Sequence, residues 1–185
     1  MKAGTDPKGI ETVAVIGAGT MGHGIAQVAA AAGYRVTLRD VDRDSLARGI
    51  QNIERNLAKG IQLAKLTEAE RDQTLQYIRG TTHLEDVATA DLIIEAAPEL
   101  LELKGQILEQ LESFSDRPFI FASNTLSLSI TTIAASSTRP QNVVGMHFFN
   151  PVHIMRLLEI VVGKRTSEET VATVFEVGRK LRKEP

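Results

Sequence analysis

His147 lies in Met146-His147-Phe148-Phe149-Asn150-Pro151 and Glu159 in Leu157-Leu158-Glu159-Ile160-Val161, so an imidazole and a carboxylate both emerge from strongly apolar, strand-like sequence. Polar groups in such surroundings are costly unless they have partners. An imidazole beside a carboxylate suits general base chemistry. The ring takes a proton, while the carboxylate fixes its tautomer and stabilises the imidazolium as it forms. The plainer reading is a hydrogen-bonded core histidine and an edge-strand charge, and on these two residues alone it is the better one. The chain has four histidines, so a histidine by itself says little.

A loop near the start of the chain changes that balance. Gly17-Ala18-Gly19-Thr20-Met21-Gly22 follows an apolar run and opens a helical pattern, which is the context a dinucleotide-binding fingerprint requires. Gly17 permits the tight turn and Gly19 lets the backbone approach a pyrophosphate. Gly22 permits close helix–strand packing, and the helix N-terminus, with Thr20 and Met21, offers N–H donors to the phosphates. Asp40 ends the next apolar run at about the 20-residue distance expected of a carboxylate that meets a ribose hydroxyl. A carboxylate there favours NAD, because it repels the 2′-phosphate of NADP. Arg39 and Arg43 flank it and read as solvated charges. From the loop alone FAD stays open.

The elements that must hold these residues alternate. Thr12–Ile16 and Arg35–Leu38 read as strands, separated by an alanine-rich helix over Thr20–Ala32 that Gly33 ends. From Asp44 to about Ala64, Ile50, Ile53, Leu57 and Ile61 recur at helical spacing, and Thr67-Glu68-Ala69-Glu70 is a capping-box pattern opening a second helix to about Tyr77. Together they predict a helical hairpin after strand two. Ile78–Thr81 and Leu92–Glu95 are further strands. Pro98 is placed at the first position of a helix lined by Leu100, Leu103, Ile107 and Leu111. Phe119–Ala122 and Val143–Phe148 follow as strands, with a short helix near Ser127–Ala135 between them. Leu157–Val162 is one more strand, and Ser167–Arg182 an amphipathic helix. Alternation of this kind means βαβ units and a parallel sheet.

Composition narrows the function classes. At 185 residues there is room for one good core, 43% apolar and 24% charged residues are an ordinary globular balance, and a net charge of −2 gives no footprint for nucleic acid or an anionic membrane. With no cysteine, disulfides, thiol catalysis and cysteine-held metals are excluded, and no metal site is expected. No apolar run approaches the roughly 20 residues that span a bilayer. Met1 to Glu11 lacks an apolar leader core and reads as a disordered tail, which points to a cytoplasmic home.

With the His147 block and Glu159 added to the loop, the chain resembles the N-terminal NAD-binding domain of the 3-hydroxyacyl-CoA dehydrogenase family. The similarity runs from about Val13 to Arg182 and includes Asp91-Leu92-Ile93-Ile94-Glu95-Ala96 and Ser123-Asn124-Thr125. It implies an α/β, Rossmann-type, doubly wound and mostly parallel sheet with the helical-hairpin insertion, over residues 12–185. The activity implied is NAD-dependent oxidation of (S)-3-hydroxyacyl-CoA to 3-oxoacyl-CoA, with His147 as base and Glu159 as its partner. Glu99 and Lys104 match residues near the cofactor, and Asn124 and Asn150 match residues that orient nicotinamide and ribose. Arg55, Lys59 and Lys65 on the hairpin are expected to meet CoA phosphates. The family usually has serine where this chain has Leu126, a position that contacts the substrate oxygen, so that contact falls to Ser127 or is lost. The resemblance also implies a helical C-terminal domain and a homodimer formed through it, so the chain is expected to be the cofactor-binding piece of a longer enzyme, poorly active alone. Alternatives are a superfamily dehydrogenase acting on another hydroxy acid and a non-catalytic NAD-binding module.

Overall fold

The computed structural model describes residues 9–185; most of the expected tail, residues 1–8, lies outside the described residues. The last residues of that tail belong to the folded body: Ile10 is buried, and the Glu11 N–H donates to Asp91 Oδ2 at 2.9 Å. The strands are β1 (Thr12–Ile16), β2 (Arg35–Arg39), β3 (Ile78–Thr81), β4 (Leu92–Glu95), β5 (Ile120–Ser123), β6 (Val143–Phe148) and β7 (Leu158–Val161). They form one seven-stranded sheet in the order β3-β2-β1-β4-β5-β6-β7. All neighbours are parallel except β6 and β7, which pair antiparallel at the edge.

Parallel strands with both faces covered read as near-continuous apolar runs, and β1 and β4 do so because they sit in the middle of this sheet. Successive side chains point to opposite faces. Val13, Val15 and Leu38 face helices α1 (Gly22–Ala31), α2 (Arg43–Gln62) and α6 (Glu168–Lys180). Ala14, Ile16, Ile93 and Phe121 face α4 (Leu101–Phe114) and the short α5 (Ile130–Ile133). The expected doubly wound sheet is therefore present.

The hairpin insertion is also present. Asp42 caps α2 by accepting from the Ser45 N–H at 2.9 Å. Thr67 and Glu70 form the full capping box of α3 (Glu68–Gln76). Several boundaries shift by a residue or two from the sequence reading, and two of the differences bear on the site. Strand β5 runs one residue later than expected, ending on Ser123. Helix α4 starts at Leu101, so Pro98 is not its first residue. Pro98 and Glu99 stay in the loop because Glu99 is drawn across to the residues after β5, and the Leu100 N–H is taken by the Pro98 carbonyl at 2.7 Å. Among the described residues no helix is long and apolar enough to cross a membrane.

Candidate active site

The carboxyl ends of the parallel strands open onto a cleft of about 730 Å³. Gly19, Thr20, Met21 and Asp40 form one side of it, and Leu103 and Ile107 of α4 the other. The loop after β1 is held by backbone bonds from both neighbouring strands: the Gly17 N–H donates to the Arg39 carbonyl, and the Ala96 N–H to the Ile16 carbonyl, both at 2.8 Å. Gly17 has φ +96°, and a Cβ there would lie 2.7 Å from the Ala96 oxygen. At Gly22 a Cβ would lie 1.6 Å from the Gly17 oxygen. No side chain fits at either position, so the turn keeps a floor of bare backbone. Gly19 and Thr20 are exposed on it and Gly22 is buried behind it.

Asp40 continues this floor. Its Oδ2 accepts from the Ala18 N–H at 2.8 Å, and its Oδ1 has only a long bond, 3.3 Å, from the Asp42 N–H. A carboxylate oxygen with spare acceptor capacity at the mouth of the cleft suits a ribose hydroxyl. Beside it Arg39 is partly enclosed, with Nε lacking a hydrogen-bond partner. Burial pulls the guanidinium pKa down, against the opposing pull of Asp40 and Glu85. The fit to a dinucleotide is good: a side-chain-free turn, a helix N-terminus and an acidic group stand in the order that diphosphate and ribose need.

At the far end of the sheet, His147 and Glu159 are direct partners in the antiparallel β6–β7 register. His147 Nδ1 lies 2.8 Å from Glu159 Oε2. The Phe149 ring packs against the imidazole, centroids 4.5 Å apart. The histidine side chain is 13% exposed and the glutamate 53%. The carboxylate therefore keeps a solvated side while the ring is nearly enclosed. Nearby, Asn124 Oδ1 accepts from the Phe148 N–H at 2.8 Å, tying the loop after β5 to the residue beside the imidazole. Asn150 is exposed and precedes a cis peptide bond to Pro151. Beyond it the chain is held by Lys183, a buried ammonium that donates to the Met155 carbonyl at 2.7 Å and to the Val152 carbonyl. Burial lowers the Lys183 pKa.

Glu99 and Lys104 do come together, but differently from the expectation. Lys104 is wholly enclosed, so its ammonium does not face the cleft. It pairs with Glu95 Oε1 at 2.7 Å and reaches Glu99 Oε2 at 3.5 Å. The other Glu99 oxygen accepts from the Thr125 hydroxyl, from the Leu126 and Ser127 N–H groups at 3.1 Å each, and from Ser127 Oγ at 3.3 Å. Burial works against ionisation here. The Thr125 hydroxyl, the Ser127 N–H, the Lys104 ammonium and the Leu126 N–H outweigh it, bringing the Glu99 carboxyl from 4.5 down to about 2. Ser127 is thus committed to Glu99, and Leu126 is 77% exposed beside it. Arg55, Lys59 and Lys65 are exposed along the hairpin and do not line the cleft. Among the described residues no group of three or more His, Asp or Glu side chains is placed to hold a metal ion.

The residues that sequence reading missed are Glu95, Ser123 and Lys183. Glu95 carried a signal: it is the one charged residue in an otherwise apolar strand, and an unpartnered buried carboxylate is not tolerated there. Its hydroxyl partner Ser123 is 28 residues away and becomes visible only once β4 and β5 are in register, and Lys104 only once α4 is packed against the end of β4.

The sequence pattern of the 3-hydroxyacyl-CoA dehydrogenase NAD binding domain matches residues 12–185. Over 173 residues the chain is 40% identical to a 3-hydroxybutyryl-CoA dehydrogenase of Clostridioides difficile, a match covering 94% of this chain and 62% of that protein. Over 176 residues it is 42% identical to the 3-hydroxyadipyl-CoA dehydrogenase of Escherichia coli, covering 95% of this chain and 37% of the relative. A crystal structure of (S)-3-hydroxybutyryl-CoA dehydrogenase from Ralstonia eutropha superposes with a TM-score of 0.92 at 41% identity, over 95% of this chain and 62% of that one. The chain thus spans less than two thirds of the length of these relatives. On this match, and on a cleft and a histidine–carboxylate pair that fit it, the chain belongs to the family of NAD-binding domains of 3-hydroxyacyl-CoA dehydrogenases.

Proposed function

We propose that this chain carries the cofactor site and the catalytic base of an enzyme that oxidises (S)-3-hydroxyacyl-CoA to 3-oxoacyl-CoA. The observation that carries the reading is the 2.8 Å contact between His147 Nδ1 and Glu159, on the same rim of strand ends as a dinucleotide cleft. A carboxylate only accepts, so Nδ1 carries the proton and Nε2 keeps its lone pair for the substrate hydroxyl. As that proton arrives, Glu159 stabilises the imidazolium, while Phe149 limits ring rotation. Bound NAD would supply the acceptor for the hydride of the carbinol carbon. The Gly17 turn and Asp40 hold the diphosphate and adenosine ribose, and Asn124 and Asn150 orient the other end. Arg55, Lys59 and Lys65 meet the CoA phosphates from the hairpin. Leu126 offers the substrate oxygen no side-chain donor and Ser127 is engaged by Glu99, so contact with that oxygen falls chiefly to His147.

The test is calorimetric titration with NADH beside a spectrophotometric assay of acetoacetyl-CoA reduction. NADH binding with turnover that disappears in His147→Ala supports the reading. Absence of NADH binding, or turnover indifferent to His147, overturns it. Comparing rates on acetoacetyl-CoA and on free 3-hydroxy acids separates the acyl-CoA substrate from another hydroxy acid. For the protein at its relatives' length we further propose a homodimer in the cytoplasm, as the family resemblance implies. Sedimentation equilibrium and cell fractionation test those two points.

A further inference from the structure

Glu95, the last residue of β4, is fully buried, and so is its ion-pair partner Lys104. Both of its oxygens are used. Oε1 accepts from Lys104 Nζ at 2.7 Å and from the Ala97 N–H at 2.6 Å, and Oε2 accepts from Ser123 Oγ at 2.6 Å. Removing two charges from water is expensive, and exchanging a buried pair for apolar groups of similar volume is often neutral or stabilising. Stability alone therefore gives a poor account of a buried pair that ties β4 to the loop after it, to α4 and to the end of β5.

The contacts are geometric in effect. Glu95 and Ser123 are opposite one another in the parallel β4–β5 register. The Ala97 N–H bond fixes the loop after β4, and Ala97 and Pro98 line the cleft. Lys104 bonds the Ala97 carbonyl at 3.3 Å and reaches on to Glu99, whose other oxygen gathers the loop after β5. One buried carboxylate thus sets the form of both loops. The sheet order puts them on the side of the cleft away from Asp40 and toward His147. A dinucleotide anchored by its adenosine ribose at Asp40 has to lay its nicotinamide half over these loops.

We propose that Glu95 is a positioning residue for the nicotinamide half of the cofactor, with Ser123 as the hydroxyl that orients it. It acts through Ala97, Lys104 and Glu99 and does not touch the cofactor. The inference rests on the NAD reading, and the experiment separates the two by titrating wild type, Glu95→Gln and Ser123→Ala with NADH and with ADP-ribose, which lacks the nicotinamide. Wild type that binds neither ligand overturns the NAD reading, and with it the inference. With wild type binding both, Glu95→Gln is expected to weaken NADH about tenfold or more while ADP-ribose stays within about twofold. Equal loss of both ligands means a general structural role, and unchanged NADH means no role; either overturns the proposal. If Glu95→Gln does not fold by circular dichroism, Ser123→Ala gives the same comparison with about a threefold selective loss, which Ser123→Thr restores.

Discussion

The two ends of the row of strand ends are built by opposite means. At the β1–β2 end the working surface is backbone. At Gly17 and Gly22 a Cβ would strike backbone oxygen, and the Asp40 carboxylate is tied to the Ala18 N–H. At the β6–β7 end the working surface is side chain: His147 on one strand of an edge hairpin, Glu159 opposite it and half open to solvent. On the proposed function the first end has to recognise a shape that many chemistries share, for which a rigid turn suffices. The second would have to move a proton, which needs a titratable group with one face held and the other free. Binding and chemistry should therefore respond to mutation separately.

The largest separation is expected from His147→Ala. Loss of a general base lowers turnover by about 10² to 10⁴-fold, while NADH affinity by calorimetry stays within about twofold because the cofactor turn is untouched. Glu159→Gln keeps the shape and removes the charge that supports the imidazolium. Half-exposed as Glu159 is, its loss should cost about tenfold in kcat with little change in KM. If either variant weakens NADH as much as it slows turnover, the two ends are not independent.

Gly22→Ala probes the other end. The added Cβ would stand 1.6 Å from the Gly17 oxygen, and backbone rather than a flexible side chain must give way. NADH affinity is expected to fall by about 100-fold, and Tm by several degrees in a thermal melt. Unaltered NADH affinity would show that the turn does not bind the diphosphate. Asp40→Ala should act more gently, with about tenfold weaker NADH and a narrower preference over NADPH. With the carboxylate gone, the partly enclosed Arg39 is the cation left to meet a 2′-phosphate. A preference that stays as wide would remove Asp40 from cofactor choice.

The same contrast explains what sequence made legible. The cofactor turn is local: its glycines, the flanking strand and the helix lie in one stretch, and Asp40 ends the next strand. The two residues of the His147–Glu159 pair were also legible, each standing in an apolar strand, but it was the family resemblance that paired them across twelve positions of sequence. The segment between these ends was read least well. Pro98 looked like a helix start because the apolar spacing of Leu100, Leu103, Ile107 and Leu111 runs up to it. A contact from Glu99 to residues 125–127 keeps it in a loop, and no local pattern encodes that contact. Lys104 looked like an exposed helix charge because its partner, Glu95, sits on a different element. Side chains that join two parallel strands become visible only with strand order and register.

That middle segment also gives the smallest and most specific effect, a dependence on acid. The Glu99 carboxyl is lowered from 4.5 to about 2 in the folded chain. A carboxyl lowered by folding contributes stability above its unfolded value and loses it as pH falls through the folded one. The contribution is therefore complete above about pH 5 and fades toward pH 2. In thermal melts, wild type should exceed Glu99→Gln by a constant, small margin at neutral pH, because the side chain is 39% exposed and solvent screens it. Below about pH 4.5 the two curves should converge as the wild-type group binds its proton. Curves that stay parallel down to pH 2 would mean that Glu99 is not held as an anion by the loop after β5.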